Sequence, residues 1–299
     1  MYKAIIALIF INICHLQYAD AQQNHLKTTV SNIATETKGK IGVYARVLET
    51  NEVFEFNNEQ HFVMQSVFKF PIAVMLLHAV DEGKFNLNQK VFIPKSKIKK
   101  TVSKLYEKYP DGNISIPLRE ILEDMVLHSD NNACDVLLQL LKGPKALTLF
   151  LHGIRIADIH VDFDEWGMQK KWLNQYQNWC TPQAQVMLLT MVFEQKILKK
   201  ETITLLRDLM RETYVAPKRI RGLLPEGTLV EHRTGTSATN NSGLSPATND
   251  VGTITLPNGK HLAIAIFLMD SYEDNDKRDL IIAKIAKAAF DEFSEIKAQ

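Results

Sequence analysis

The spacing of apolar positions changes period twice along the chain. Leu26, Val30 and Ile33 fall on one helical stripe ahead of Gly39, which predicts an opening helix over residues 26–38 capped by that glycine. "IGVYARVLETNEVFEFNNE" then alternates as two strands around a turn at Asn51. From Pro71 to about Met210 the pattern is mainly helical, in "FPIAVMLLHAV", "LREILEDMVLHS", "ACDVLLQLL", "PQAQVMLLTMVF" and "ETITLLRDLM". Strand patterns return only at the end, in "TLVEHRTGTS", "DVGTITL" and "HLAIAIFLMD", the last two joined by a hairpin at Asn258-Gly259. A closing helix sets Ile281, Ile285, Ala289 and Phe293 on one face.

Two early strands and three late ones are each marginal alone, so they are expected to pair into one sheet, with the helical middle as an inserted lobe. The expected class is α/β in the broad sense (α+β), an antiparallel sheet flanked by helices beside an all-helical lobe. The expected division is a leader at 1–21, a discontinuous α/β lobe of 22–65 and 213–299, and a helical lobe of 66–212.

Composition narrows the partners. With 299 residues, 45% hydrophobic and 23% charged at a net charge of +1, the chain has the makeup of a globular protein and no basic footprint for nucleic acid. "MYKAIIALIFINICHLQYADAQQ" has the basic start, short apolar stretch and small-residue site of a cleavable secretory signal, with cleavage expected near Ala21/Gln22. No later stretch is apolar for the roughly 20 residues a bilayer demands. The mature chain is therefore expected to be exported, periplasmic or secreted, without a membrane anchor. Cys134 and Cys180 would remain in it, and two cysteines make no disulfide framework.

"QSVFKFPIAVMLLHAV" is built for burial yet carries Ser66 and Lys69, three positions apart. One helical turn brings the ammonium beside the hydroxyl, and a desolvated amine there can accept or tune its proton. The same spacing recurs at Ser96/Lys99 and Ser294/Lys297, but in solvated polar runs. Farther along stand Ser129-Asp130-Asn131 in "HSDNNACD" and Arg233-Thr234-Gly235 in "EHRTGTS". SxxK, SDN and KTG in this order are the combination of serine β-lactamases and penicillin-binding proteins, here with arginine for the lysine of the third motif.

On these motifs, with "QYQNW", "MRET" and "ATNDVGTITLPNG", the chain resembles the class A serine β-lactamases of the extended-spectrum PER and VEB type over essentially its whole mature length. The resemblance implies the serine β-lactamase/penicillin-binding-protein fold, a monomer needing no cofactor or metal, and antibiotic resistance through hydrolysis of β-lactams. It assigns the catalytic residues as Ser66 (nucleophile), Lys69, Ser129 and Glu165. The backbone N–H groups of Ser66 and Thr236 become the oxyanion hole. Substrate contacts fall to Asn131, Arg233, Thr234, Thr236, Ser237 and Arg219, and the hydrolytic water to Glu165 and Gln169, which stands where asparagine is usual. The first proton acceptor stays open between Lys69 and Glu165. Asp130 is expected to hold its loop, and Arg221 to form a buried ion pair.

Two other readings share the motifs: a D,D-peptidase of the penicillin-binding kind and a penicilloyl-sensing domain. Glu165 speaks against both. His160, Asp162 and Asp164 form a loose cluster without metal-ligand spacing, and GxSxG is missing.

Overall fold

A computed structural model describes residues 25–294; the leader lies outside them. The five anticipated strands form one antiparallel sheet in the spatial order Val53–Phe56, Lys40–Val47, His261–Ser271, Ser245–Thr255, Val230–Thr236. Asn51 turns the first hairpin at φ 64° and Gly259 turns the last at φ 79°. The first and last strands in sequence thus enclose the segment that carries the helices.

The sheet is covered on both faces, so its central strands are apolar nearly throughout. Alternation sends Val43, Ala45, Ile264 and Ile266 to one face, where they pack with Leu26 and Val30 and with Ile281, Ile285 and Ala289 of the helix Asn275–Ser294. Tyr44, Ala263, Ala265 and Phe267 go to the other face and join the core of the helical region. At the centre of that region lies the helix Lys69–Asp81, apolar on all sides and buried for nearly its whole length. Pro71 falls in its first turn, where a missing N–H costs nothing.

Three expectations need correction. The opening helix ends at residue 36, and Gly39 is not among the residues with positive φ, so it is no left-handed cap. Its lack of a side chain matters instead because a Cβ there would sit 3.1 Å from the Met269 carbonyl oxygen. Strands also occur in the middle of the chain: Lys90–Ile93 pairs with Ile114–Pro117, and Phe62–Val63 pairs with Trp179–Cys180, which pairs with Ile159–His160. These pieces are too short to show a period of two. The last ladder joins the two ends of the 161–178 loop at a neck. There the buried Asn178 side chain accepts from the Asp162 and Phe163 N–H groups and donates to the Phe163 carbonyl. Among the described residues no helix is long and apolar enough to cross a membrane.

Candidate active site

Ser66 sits in a short 3-10 turn, Gln65–Phe68, that runs directly into the helix bearing Lys69. Its hydroxyl caps no helix, and Lys69 does not reach for water, being 0% exposed. The ammonium is instead surrounded by acceptors: Ser66 Oγ at 3.0 Å, Ser129 O at 2.8 Å, Asn131 Oδ1 at 2.6 Å and Glu165 Oε1 at 2.7 Å. Ser129 Oγ lies 3.4 Å from the same nitrogen, and Ser66 Oγ lies 3.4 Å from Glu165 Oε1. One buried cation therefore links both serines of the motifs and the loop carboxylate. A charge so buried persists only when it is paired and hydrogen-bonded.

Different elements deliver these groups. Asp130 caps the helix Asn131–Leu140 through the Ala133 N–H and also accepts from the Ser103 hydroxyl and Leu105 N–H, the loop-holding role expected of it. That grip presents Ser129, whose φ of 57° is rare for a side-chain-bearing residue and marks local strain. Glu165 opens a short helix, Glu165–Lys170, capped by Asp164 through the Gly167 N–H. Asp135 accepts the N–H groups of Glu165 and Trp166 at 2.7 and 3.1 Å. Burial, reinforced by the charges of Asp164 and Glu165, raises Asp135 to about 7. Asp162, the other nearby carboxylate, pairs with His160 away from the serines.

The strand Val230–Thr236 forms the opposite wall. Gly235 is required there, since a Cβ would lie 2.3 Å from the Met64 carbonyl oxygen and 3.2 Å from the Val67 nitrogen. Its absence lets the strand backbone press against the turn carrying Ser66. Thr234 and Thr236 line the cleft as their shared face predicts. Arg233 faces the other way and is buried, donating from Nε to Ser66 O (3.1 Å), from Nη1 to Val126 O (3.2 Å) and from Nη2 to Ser129 Oγ (2.5 Å). Burial draws it down to about 10, which leaves it cationic at neutral pH.

Arg219, also buried, forms an ion pair with Asp279 at 2.7 Å and donates to Thr236 Oγ1 at 2.8 Å, so it aims a hydroxyl of the cleft. Arg221 departs from expectation: its guanidinium donates to the carbonyls of Thr213, Arg211 and Val230, with no carboxylate among its hydrogen-bond partners. A planar fork can satisfy several carbonyls of a turn at once, and here it does so. Ser237 is buried and donates to Gln175 Oε1 at 2.9 Å. Gln169 is exposed on the cleft rim, its amide 3.5 Å from Thr101 Oγ1. Cys134 and Cys180 are free and buried.

These walls enclose a cleft of about 900 Å³. Sequence reasoning missed part of its lining, notably Gln65, Thr101, His128, Trp172, Gln175 and Tyr214. Tyr214 Oη meets His128 Nδ1 at 2.9 Å across the mouth. Gln65, beside Ser66, His128, beside Ser129, and Gln175, within "QYQNW", adjoin or fall in segments the sequence singled out.

The family model described as β-lactamase enzyme family matches residues 25–293. β-Lactamase VEB-1 of Pseudomonas aeruginosa is 38% identical, covering 95% of this chain and 96% of the relative. The extended-spectrum β-lactamase PER-1 of the same organism is also 38% identical, over 90% and 88%. The crystal structure of the TLA-1 extended-spectrum β-lactamase superposes with a TM-score of 0.90 at 40% identity, covering 91% of this chain and 99% of that one. A buried lysine shared by two serines and a loop glutamate, on a fold matched at that level, places the chain in the β-lactamase enzyme family, as a class A serine β-lactamase.

Proposed function

We propose that the chain hydrolyses the lactam amide of penicillin- and cephalosporin-type antibiotics through an acyl-enzyme on Ser66, and so protects the cell that exports it. The observation that carries this reading is the position of Lys69 Nζ, 3.0 Å from Ser66 Oγ and 2.7 Å from Glu165.

Lys69 Nζ faces four acceptor oxygens, and the Glu165 carboxylate stands 3.4 Å from Ser66 Oγ, placed to take its proton. In acylation the Ser66 proton passes to Glu165, directly or through a water, while Oγ bonds to the lactam carbon. The carbonyl oxygen gains negative charge and is held by the N–H groups of Ser66 and Thr236; one such donor is worth roughly 10²- to 10³-fold in rate. As the C–N bond breaks, Ser129 gives its proton to the departing nitrogen and is resupplied by Lys69, and Glu165 returns its proton to Lys69. The distances of 3.4, 2.7 and 3.4 Å along Ser66, Glu165, Lys69 and Ser129 support this circuit. In deacylation Glu165, with Gln169 near the same rim, directs a water to the ester carbon and takes its proton, and Ser66 leaves with that proton restored.

The substrate carboxylate is met by Thr234 and Thr236, the second aimed by Arg219. Arg233 contributes its charge from beneath Ser66 and Ser129, and Asn131, which holds Lys69, has its amide at the cleft for the substrate side chain. Ser237 flanks the substrate edge. The mature protein acts as an exported monomer after cleavage near Ala21.

The test is mass spectrometry of Glu165→Ala mixed with a penicillin. The expected result is one persistent penicilloyl adduct on Ser66 where the parent enzyme turns over many times; rapid complete turnover by the variant would overturn the assignment. A peptidase or sensor would instead hold a stoichiometric adduct with Glu165 intact.

A further inference from the structure

We propose that Gln175 is a positioning residue that braces both donors of the oxyanion hole through one atom. This rests on the reading that the Ser66 and Thr236 N–H groups hold the developing oxyanion. Gln175 Oε1 accepts from Gln65 Nε2 at 2.7 Å and from Ser237 Oγ at 2.9 Å. Gln65 directly precedes Ser66, and Ser237 directly follows Thr236. Each oxyanion donor is thus one residue away from a side chain seated on the same carbonyl oxygen, whose two lone pairs can serve both.

The neighbourhood needs such a brace. Gln65 has φ 46°, a conformation that side-chain-bearing residues hold only when their surroundings impose it. The strand ladder ends at Thr236 opposite Thr248, and just beyond it the Ser237 N–H donates to the Ala247 carbonyl at 2.9 Å while the Ser237 hydroxyl turns to Gln175. The close approach at Gly235, with hydrogen bonds from Arg233 Nε to Ser66 O and from Asn249 Nδ2 to Val63 O and Met64 O, holds the two backbones together, and Gln175 adds a link between the residues that flank the two donors. Gln175 is 6% exposed, and its amide nitrogen is spent on the Trp172 carbonyl at 2.8 Å, which fixes which end of the side chain faces the pair. Gln175 belongs to the loop that also carries Glu165, so the brace ties the oxyanion donors to the element that aims the water. Donor positions must be held within a few tenths of an ångström for full effect.

Gln175→Met keeps length and removes the acceptor, whereas Gln175→Glu keeps an acceptor oxygen. In Gln175→Met the acylation rate constant should fall about tenfold or more, with the substrate dissociation constant changed less than about threefold, because the lost interaction acts mainly in the transition state. Gln175→Glu should recover most of that loss. In a Glu165→Ala background, the infrared carbonyl band of the trapped acyl-enzyme should move to higher wavenumber with Gln175→Met and return with Gln175→Glu. A merely structural role would lower the melting temperature and leave that band in place. If Gln175→Met fails to fold, Gln65→Leu and Ser237→Ala each remove one arm and should each shift the band part of the way. An unchanged band and acylation rate in the folded variants would overturn the brace. Absence of any adduct on Ser66 in the Glu165→Ala parent would remove the oxyanion reading itself, and the brace with it; the mass spectrum tells the two failures apart.

Discussion

The two sides of the Val230–Thr236 strand and its sheet obey opposite rules. Against the helix Asn275–Ser294 the interior is mostly apolar, with Val43, Ile264, Ile266, Ile281 and Ile285 interdigitated. Toward the cleft the interior contains Lys69, Glu165 and Arg233, all nearly inaccessible to water. Burial on the first side is favourable by itself, at about 1.5–3 kcal/mol for each large aliphatic side chain. On the second side burial is unfavourable for each charge alone, and the arrangement survives because every charge has several partners. One side stabilises the protein, and the other concentrates charge around Ser66. If so, substitutions on the two sides should separate activity from stability.

The largest separation is expected from Ser66→Ala, which should reduce steady-state hydrolysis by about 10⁴-fold or more while leaving the thermal unfolding midpoint within a few degrees of the parent. Unaltered turnover would place the chemistry elsewhere. Arg233→Met comes next. It leaves Ser66 O, Val126 O and Ser129 Oγ without their buried donor, so both readouts should fall, kcat by about 100-fold and stability by about 1–3 kcal/mol. Loss of stability alone would make Arg233 only a strut.

Ile266→Ala, on the apolar side, should cost about 2–5 kcal/mol in denaturant titrations and leave kcat of the folded fraction unchanged. A change in kcat there would blur the division between the two sides.

The smallest effect is a pH dependence at Asp135. Its carboxyl is raised in the folded state from the ordinary value to about 7. A raised value means the native state holds the proton more tightly than the unfolded chain does. Its contribution is therefore complete below about 4 and is lost as pH climbs through about 7. The melting temperature of Asp135→Asn should accordingly decline less than that of the parent between pH 5 and pH 8, and equal slopes would show that Asp135 does not titrate in this window.

Much of this was legible in the residues. Apolar period located the five strands and five of the six inner helices of ten or more residues, missing Pro144–Gly153, because regular burial imprints itself on sequence. The three motifs located Ser66, Lys69, Ser129 and the Val230–Thr236 wall, because those residue types at those spacings do specific chemistry. Arg233 was legible as a cation in the third motif, but its direction was not; only the packed strand showed its fork buried beneath the cleft, on Ser66 O, Val126 O and Ser129 Oγ. Arg221 was misread for the same reason, since a guanidinium on a turn can choose carboxylate or carbonyls and the sequence does not say which lie within reach. The loop neck at Asn178 and the meeting of Gln65, Gln175 and Ser237 join positions far apart in the chain, and nothing periodic marks them. By itself, then, the sequence determined which segments must be buried and which reactive groups the protein owns, because transfer from water and covalent chemistry are properties of single residues and their near neighbours. The tertiary structure alone decided which of those groups meet and which atoms hold them still, because hydrogen bonds and ion pairs act over about 3 Å in space regardless of separation along the chain.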